Sequence, residues 1–333
     1  MKLVTFENEG APRLGVMASD IDLVDIDIAL ETLTAERGFG DMIGLIKAGR
    51  KGLDQVAEVL YRAPEQALRS LANVRLRAPI PAPPRLRDTL MFLEHMENGL
   101  REWARNLAKD APDPEAKFAE LMASGRYSIH PVFREQVIYY NADHLAISGP
   151  EDAIDWPAAS SYADFELEWA VVIGSAERGM SPEAARTAIF GYTIFNDWSA
   201  RDLQLDFMQA NLGPSGGKDF AGGNGFGPCI VTPDEIPDPY ALRMEARVNG
   251  ELWSQGSTGS MHHKFEDAIA QFSRFEDLAP GEIIGSGTVL HGCGYELGRK
   301  LSSGDVVELS VENIGTLRNS VRLQLSELQR NAN

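Results

Sequence analysis

Glu166 and Glu168 are the residues whose types and spacing most directly suggest chemistry. They lie in Phe165-Glu166-Leu167-Glu168-Trp169-Ala170-Val171-Val172-Ile173-Gly174, where alternation and β-branched residues predict a strand closed by the glycine. Side chains two apart on a strand share a face. The two glutamates therefore point one way, and Phe165, Leu167 and Trp169 the other. Their carboxylates stand about 6.5–7 Å apart along the strand and repel each other. Either this polar face meets water, as in many antiparallel sheets, or a hard cation turns the repulsion into binding. A second apolar strand, Tyr192-Thr193-Ile194-Phe195, runs into Asn196-Asp197 and leaves an acid where solvation is poor. Glu166, Glu168 and Asp197 would form a three-carboxylate, oxygen-only set, suited to Mg²⁺, Mn²⁺ or Ca²⁺ rather than zinc.

The Glu-x-Glu pair is followed by Asn196-Asp197-Trp198-Ser199-Ala200-Arg201-Asp202-Leu203-Gln204, then Gly217-Lys218-Asp219-Phe220, Gly285-Ser286-Gly287-Thr288 and Gly315-Thr316-Leu317-Arg318-Asn319. Together these resemble the fumarylacetoacetate hydrolase family over roughly residues 80 to 325, and the long run from Asn196 to Gln204 is the most specific part. The resemblance implies an α+β, predominantly β fold. It comprises a fumarylacetoacetase-like mixed β-roll or sandwich catalytic domain and a small N-terminal α+β domain.

The resemblance also implies roles for individual residues. His95 would activate the attacking water, with Glu296 as its partner. Arg201, Gln204 and Lys218 would surround the developing oxyanion, Tyr140 and Thr288 would contact substrate, and Glu166, Glu168 and Asp197 would hold Mg²⁺ (or Ca²⁺ or Mn²⁺). Where the family has a fourth metal carboxylate this chain has Met91, leaving Asp88 or Glu94 as substitutes. The implied activity is hydrolysis of a C–C bond in a β-diketone acid of the fumarylacetoacetate or acylpyruvate type, by way of an enolate. The alternatives are decarboxylation or tautomerisation of an oxaloacetate-like acid, or hydration of a 2-keto-4-enoate. A non-catalytic Ca²⁺-binding protein is a further reading. The resemblance implies a homodimer as well.

The elements that must position these residues occupy a chain of 333 residues, long enough for one large domain and one small. A formal charge of −18 argues against nucleic acid or an anionic membrane as partner. It also requires that a small anionic keto-acid substrate find Arg and Lys concentrated locally. No leader is expected at Met1-Lys2-Leu3-Val4, and no apolar run approaches a membrane span. With two cysteines, Cys229 and Cys293, the expected home is the reducing cytoplasm, and both are expected to be small buried hydrophobes.

Residues 1–77 read as the small domain. It begins with a hairpin around Glu9-Gly10, continues with a strand over Asp20–Asp27 whose acids form a solvated edge, and ends with helices over Ile28–Arg37 and Gly40–Tyr61. Prolines at 79, 81, 83 and 84 mark an extended crossing into residues 78–333, the metal-dependent catalytic domain. Residues 101–130 are helical in pattern and broken by Asp110-Ala111-Pro112-Asp113-Pro114, which suits a lid or insertion beside the site. Ser181-Pro182-Glu183 opens a short helix to about Phe190. Asn249-Gly250 turns a hairpin, His262 and His263 read as surface or interface, and residues 304–324 are the closing strands.

Overall fold

The computed structural model describes residues 1–8, 10–34 and 38–323. The strands Leu167–Ile173 and Ile189–Asp197 are buried along their whole length and pair antiparallel from Leu167 opposite Asn196. Their alternate side chains enter different cores. Trp169, Val171 and Ile173 join one apolar cluster, whereas Ala170 and Val172 join another, as a period of two requires. Of the two readings left open for the glutamate face, contact with water is the one the burial opposes, because both faces of the strand are covered and Glu166 and Glu168 are themselves buried.

These two strands are the middle of a twelve-stranded sheet. On one side they continue through Asn224–Val231 to Lys2–Asn8, Ala11–Met17, Asp22–Asp25 and Leu68–Ser70; on the other, through Ile283–Gly285 and Leu86–Thr89 to Tyr139–Ala142. A second, five-stranded sheet holds Glu251–Ser257, Arg243–Val248, Val306–Val311, Gly315–Arg322 and Ala153–Asp155. Met244, Ala246, Leu309 and Leu317 from that sheet meet Trp169, Val171 and Ile194 in one core, as two sheets with apolar inner faces are expected to pack. The opposite core lies under the helix Met42–Arg62, where Leu45, Ile46, Val56 and Val59 cover Ala170, Val172, Phe195 and Ile230. Lys2 and Leu3 pair with Val231 and Ile230, so the N-terminal strands extend the central sheet directly.

Several local expectations needed adjustment. The strand expected over Asp20–Asp27 is shorter, Asp22–Asp25, because a helix starts at Ile26. Asp25 is fully buried rather than a solvated edge, and its carboxylate takes a bidentate contact from Arg13, one arm at 2.9 Å. The following helix spans Ile26–Thr34; its expected end at Arg37, Glu9 of the expected turn and residue 324 of the closing strands lie outside the described residues. The helix opened by Ser181 ends early. Ser181 caps it by accepting from the Ala184 amide at 3.3 Å, but Ile189 and Phe190 already belong to the long buried strand. Tertiary pairing of a β-branched and aromatic run overrides helical continuation there. Asn249 and Gly250 both take positive φ, 52° and 80°, as a tight hairpin turn demands. His263 is buried, and both histidines hold the backbone carbonyls of Phe133 and Arg134. No helix among the described residues is long and apolar enough to cross a membrane.

Ile194 is fully buried in the middle of the central strand pair. Its replacement by alanine is expected to lower unfolding stability by roughly 2–5 kcal/mol, read as a reduced midpoint in chemical denaturation.

Candidate active site

Three carboxylates gather at one end of the central sheet. Asp88, Glu168 and Asp197 are buried, and one oxygen from each lies within 4.8 Å of the others. The strand period explains the meeting. Asp88 shares its face with Leu86, Glu168 with Ala170, and Asp197 with Phe195, all residues of the same core. The strands carrying Asp88 and Glu168 flank Ile283–Gly285, and Gly285 is what lets them approach across it. A Cβ at Gly285 would stand 2.8 Å from the Phe195 ring and 2.9 Å from Asp88 Oδ1. The remaining oxygens are oriented by neighbours. The Gly287 amide (2.9 Å) and the Thr288 hydroxyl (3.3 Å) donate to Glu168, and the Tyr140 hydroxyl donates to Asp197 at 3.2 Å.

Burial and mutual repulsion raise these acids. Asp88 is pushed up to about 6, by burial first and by Glu166, against the pull of Lys218. Burial, then Asp88 and Asp197, carry Glu168 well above the carboxylate range. Asp197 is likewise raised well above it by burial, with Lys218 opposing. Asp197 Oδ1 is buried without a hydrogen-bond partner. Crowded oxygen donors and an orphaned carboxylate oxygen fit a hard divalent cation. Asp88 thus joins the carboxylate cluster, while Glu94 is exposed and Met91 is buried in the core.

Glu166 is in the same cavity but is held differently. It precedes the regular strand and forms an isolated bridge with Cys293. One of its oxygens accepts from Arg201 Nη1 at 2.7 Å and the other from Lys218 Nζ at 2.5 Å. Burial alone would raise its pKa, but Lys218 and Arg201 prevail and hold it far below the usual range. Lys218 also reaches Asp197 at 2.6 Å, and Arg201 donates to Asp164 at 2.8 Å and to Gln204 at 2.9 Å. The loop before Lys218 packs closely on the helix Arg201–Gln209. A Cβ at Gly217 would lie 2.4 Å from the Gln204 backbone nitrogen.

His95 is in the first turn of the helix Leu93–Ala108, and its Nδ1 is 2.6 Å from Glu296 Oε2. Asn98, one turn further on the same helix, donates to the other Glu296 oxygen at 2.9 Å. Burial works against a charged His95, but the Glu296 charge and hydrogen bond outweigh it and raise the imidazole pKa. Burial likewise opposes the Glu296 carboxylate, yet His95 and Asn98 lower its pKa. Glu296 belongs to a short turn that Asp164 anchors by accepting from the Gly294 amide at 2.7 Å and the Tyr295 amide at 3.0 Å.

Asp88, His95, Tyr140, Glu166, Glu168, Arg201, Gln204, Lys218 and Thr288 line one cavity of about 290 Å³. Asp197, Glu296 and Asp164 stand directly behind Lys218, His95 and Arg201. Every residue expected from the sequence to act in the site is brought to it or directly beside it. Tyr140 and Thr288 turn their hydroxyls toward Asp197 and Glu168, and Gln204 turns its side-chain oxygen toward Arg201. Sequence reasoning passed over Asp164 and Asn98. Asn98 was within reach, because i and i+3 share a helix face; Asp164 offered no local signal, its partners being 37 and 130 residues away. Cys293 is buried as expected, but it also lines the cavity.

The family model for the fumarylacetoacetate (FAA) hydrolase C-terminal domain matches residues 115–322. The chain belongs to the fumarylacetoacetate hydrolase family. A family relative, an oxaloacetate tautomerase of Bacillus subtilis, is 30% identical over 330 residues, covering 96% of this chain and 100% of its own. A mitochondrial oxaloacetate tautomerase of Xenopus laevis is 30% identical over 338 residues, with 96% and 90% covered. Among solved structures, a fumarylacetoacetate hydrolase of Exiguobacterium antarcticum aligns with a TM-score of 0.71 at 28% identity, covering 97% of this chain and 100% of that one. The family's sheet-rich α+β fold is the one described above. Its members compared here are hydrolases, isomerases and tautomerases.

Asp88→Asn is expected to separate repulsion from cation binding. It should raise the melting temperature of the metal-free protein by relieving repulsion. It should also shrink the stabilisation by Mg²⁺ or Mn²⁺, which for a well-bound ion reaches about 2.7 kcal/mol at 100 times Kd. Thermal melts with and without EDTA check both signs.

Proposed function

We propose that the protein is a divalent-metal-dependent enzyme that hydrolyses a C–C bond in a β-diketone acid. The observation that carries this reading is His95, which lines the same cavity as Asp88 and Glu168 of the carboxylate cluster and is backed by Glu296 at 2.6 Å. A cation held by those carboxylates would supply a Lewis acid and a template for the dicarbonyl.

The chain's own residues do the rest. Neutral His95 takes a proton from water, and Glu296 keeps the ring oriented and basic. The water oxygen attacks the distal carbonyl carbon, whose oxygen gains charge. Arg201 Nη2, buried without a hydrogen-bond partner, is an available donor for negative oxygen in the cavity. The C–C bond then breaks, its electron pair passes into the enolate of the departing 2-oxo acid, and Lys218 is placed to stabilise that charge. The proton on His95 is returned to the enolate carbon. Arg201 and Lys218 are the cationic side chains that a protein of charge −18 places beside the buried acids of the cavity.

A second reading is supported by the full-length similarity to oxaloacetate tautomerases. Here His95 moves a proton between carbon and oxygen of a keto acid, with no water added. The two readings separate by assay. Acylpyruvates and fumarylacetoacetate should lose their diketone ultraviolet absorbance with Mg²⁺ and keep it with EDTA. If no diketone is cleaved while oxaloacetate enolises in a metal-dependent way, hydrolysis is rejected and tautomerisation stands.

His95 acts as a base only when neutral, so kcat/KM should rise with pH through its raised pKa. Glu296→Gln removes the charge that raises this pKa and leaves the burial that lowers it. The rising limb should therefore shift to lower pH, while kcat falls by about 10²-fold or more. A pH–rate profile of both proteins measures the shift.

A further inference from the structure

The cavity has two chemically different halves. Its inner half carries the carboxylates, His95, Arg201 and Lys218; its outer half is walled by Met96, Leu100, Trp103, Leu205, Met208 and Pro214. Met96, Leu100 and Trp103 follow helical spacing, so one face of Leu93–Ala108 presents them beside His95. Trp103 is fixed from behind by Tyr127, edge-on at 5.6 Å between ring centroids. Leu205 and Met208 come from the facing helix Arg201–Gln209.

The charges decide what this half accepts. Among the described residues, the cationic side chains lining the cavity are His95, Arg201 and Lys218. Each is already committed: His95 to Glu296, Lys218 to Glu166 and Asp197, and Arg201 to Asp164 and Glu166. Among their fully buried atoms, the one without a hydrogen-bond partner is Arg201 Nη2, at the inner end. A substrate with a carboxylate at its far end would bury that charge against Met, Leu and Trp without a counter-ion, which is costly.

We propose that the outer half is an apolar subsite, and that the substrate is a monoanionic 2-oxo acid whose distal group is an uncharged alkyl or aryl chain rather than a second carboxylate. This rests on the cavity serving 2-oxo acids, as in the proposed function, but not on whether water attacks. One head group and two tails test it. Isothermal titration of the Mg²⁺-loaded full-length protein would compare 2-oxo-4-phenylbutanoate with 2-oxoglutarate. The phenyl compound should bind roughly tenfold tighter or more, the scale on which an apolar pocket discriminates. Trp103→Ala should cut that preference about tenfold, and Leu100→Lys, which supplies a counter-ion, should reverse it. Equal or tighter binding of 2-oxoglutarate by the wild type, or no binding of the phenyl compound, overturns the proposal. If the preference holds but no acylpyruvate is cleaved, hydrolysis alone falls; if diketones are cleaved with dicarboxylates preferred, the subsite alone falls.

Discussion

Negative charge held out of water is the constraint on which the rest of the structure depends. Asp88, Asp164, Glu166, Glu168, Asp197 and Glu296 are all buried within or beside one cavity. Arg201, Lys218 and His95 are the cations that face them. Isolated carboxylates in such surroundings take up protons or find partners, and both responses are visible. Glu166 and Glu296, which have cationic partners at hydrogen-bond distance, are driven down. Glu168, which has none, is driven up. Asp197 and Asp164 are raised even though Lys218 and Arg201 touch them, because burial outweighs a cation shared between acids. The raised trio Asp88, Glu168 and Asp197 marks the place where a divalent cation does most to offset repulsion.

Holding acids in that state takes a rigid frame, and the frame is the doubly covered sheet. Leu167–Ile173 and Ile189–Asp197 are packed on one face by the second sheet and on the other by the N-terminal helix Met42–Arg62. The N-terminal strands thus serve the site from a distance, as an extension of the sheet that carries Asp197 toward the cavity. Gly285 contributes by absence: a side chain there would collide with Phe195 and Asp88. Asp164 ties Arg201 to the turn that bears Glu296, so the Arg201 and His95–Glu296 sides of the site share one anchor.

Much of this was legible in the sequence. Glu166, Glu168 and Asp197 stood out because period-two alternation and a strand end are local patterns. His95 and Glu296, 201 residues apart, came together only through the family resemblance, since periodicity carries no information about such separations. Asp88 was named as a substitute for the position of Met91 but could not be preferred over Glu94 without the strand face that includes Leu86. The even choice between a wet face and a cation site for the glutamate pair had the same origin: which face of a strand is covered depends on elements distant in the chain. Asp25 shows this from the other side. Among alternating aspartates it looks solvated, and Arg13 together with the Ile28 amide satisfies it as a buried residue.

The helix Leu93–Ala108 bears both His95 and the wall formed by Met96, Leu100 and Trp103. Under the proposed function, recognition of one end of a bound molecule and placement of the base at the other would therefore depend on one helix. A tail that fails to fill the wall leaves that helix less firmly seated, and the imidazole with it. Discrimination should then register in turnover as well as in affinity. The carboxylate cluster sits on the sheet rather than on this helix, so it can remain constant while the helix changes. One scaffold can in this way acquire new tails by substitution along two turns of helix without disturbing the ionic end of the cavity.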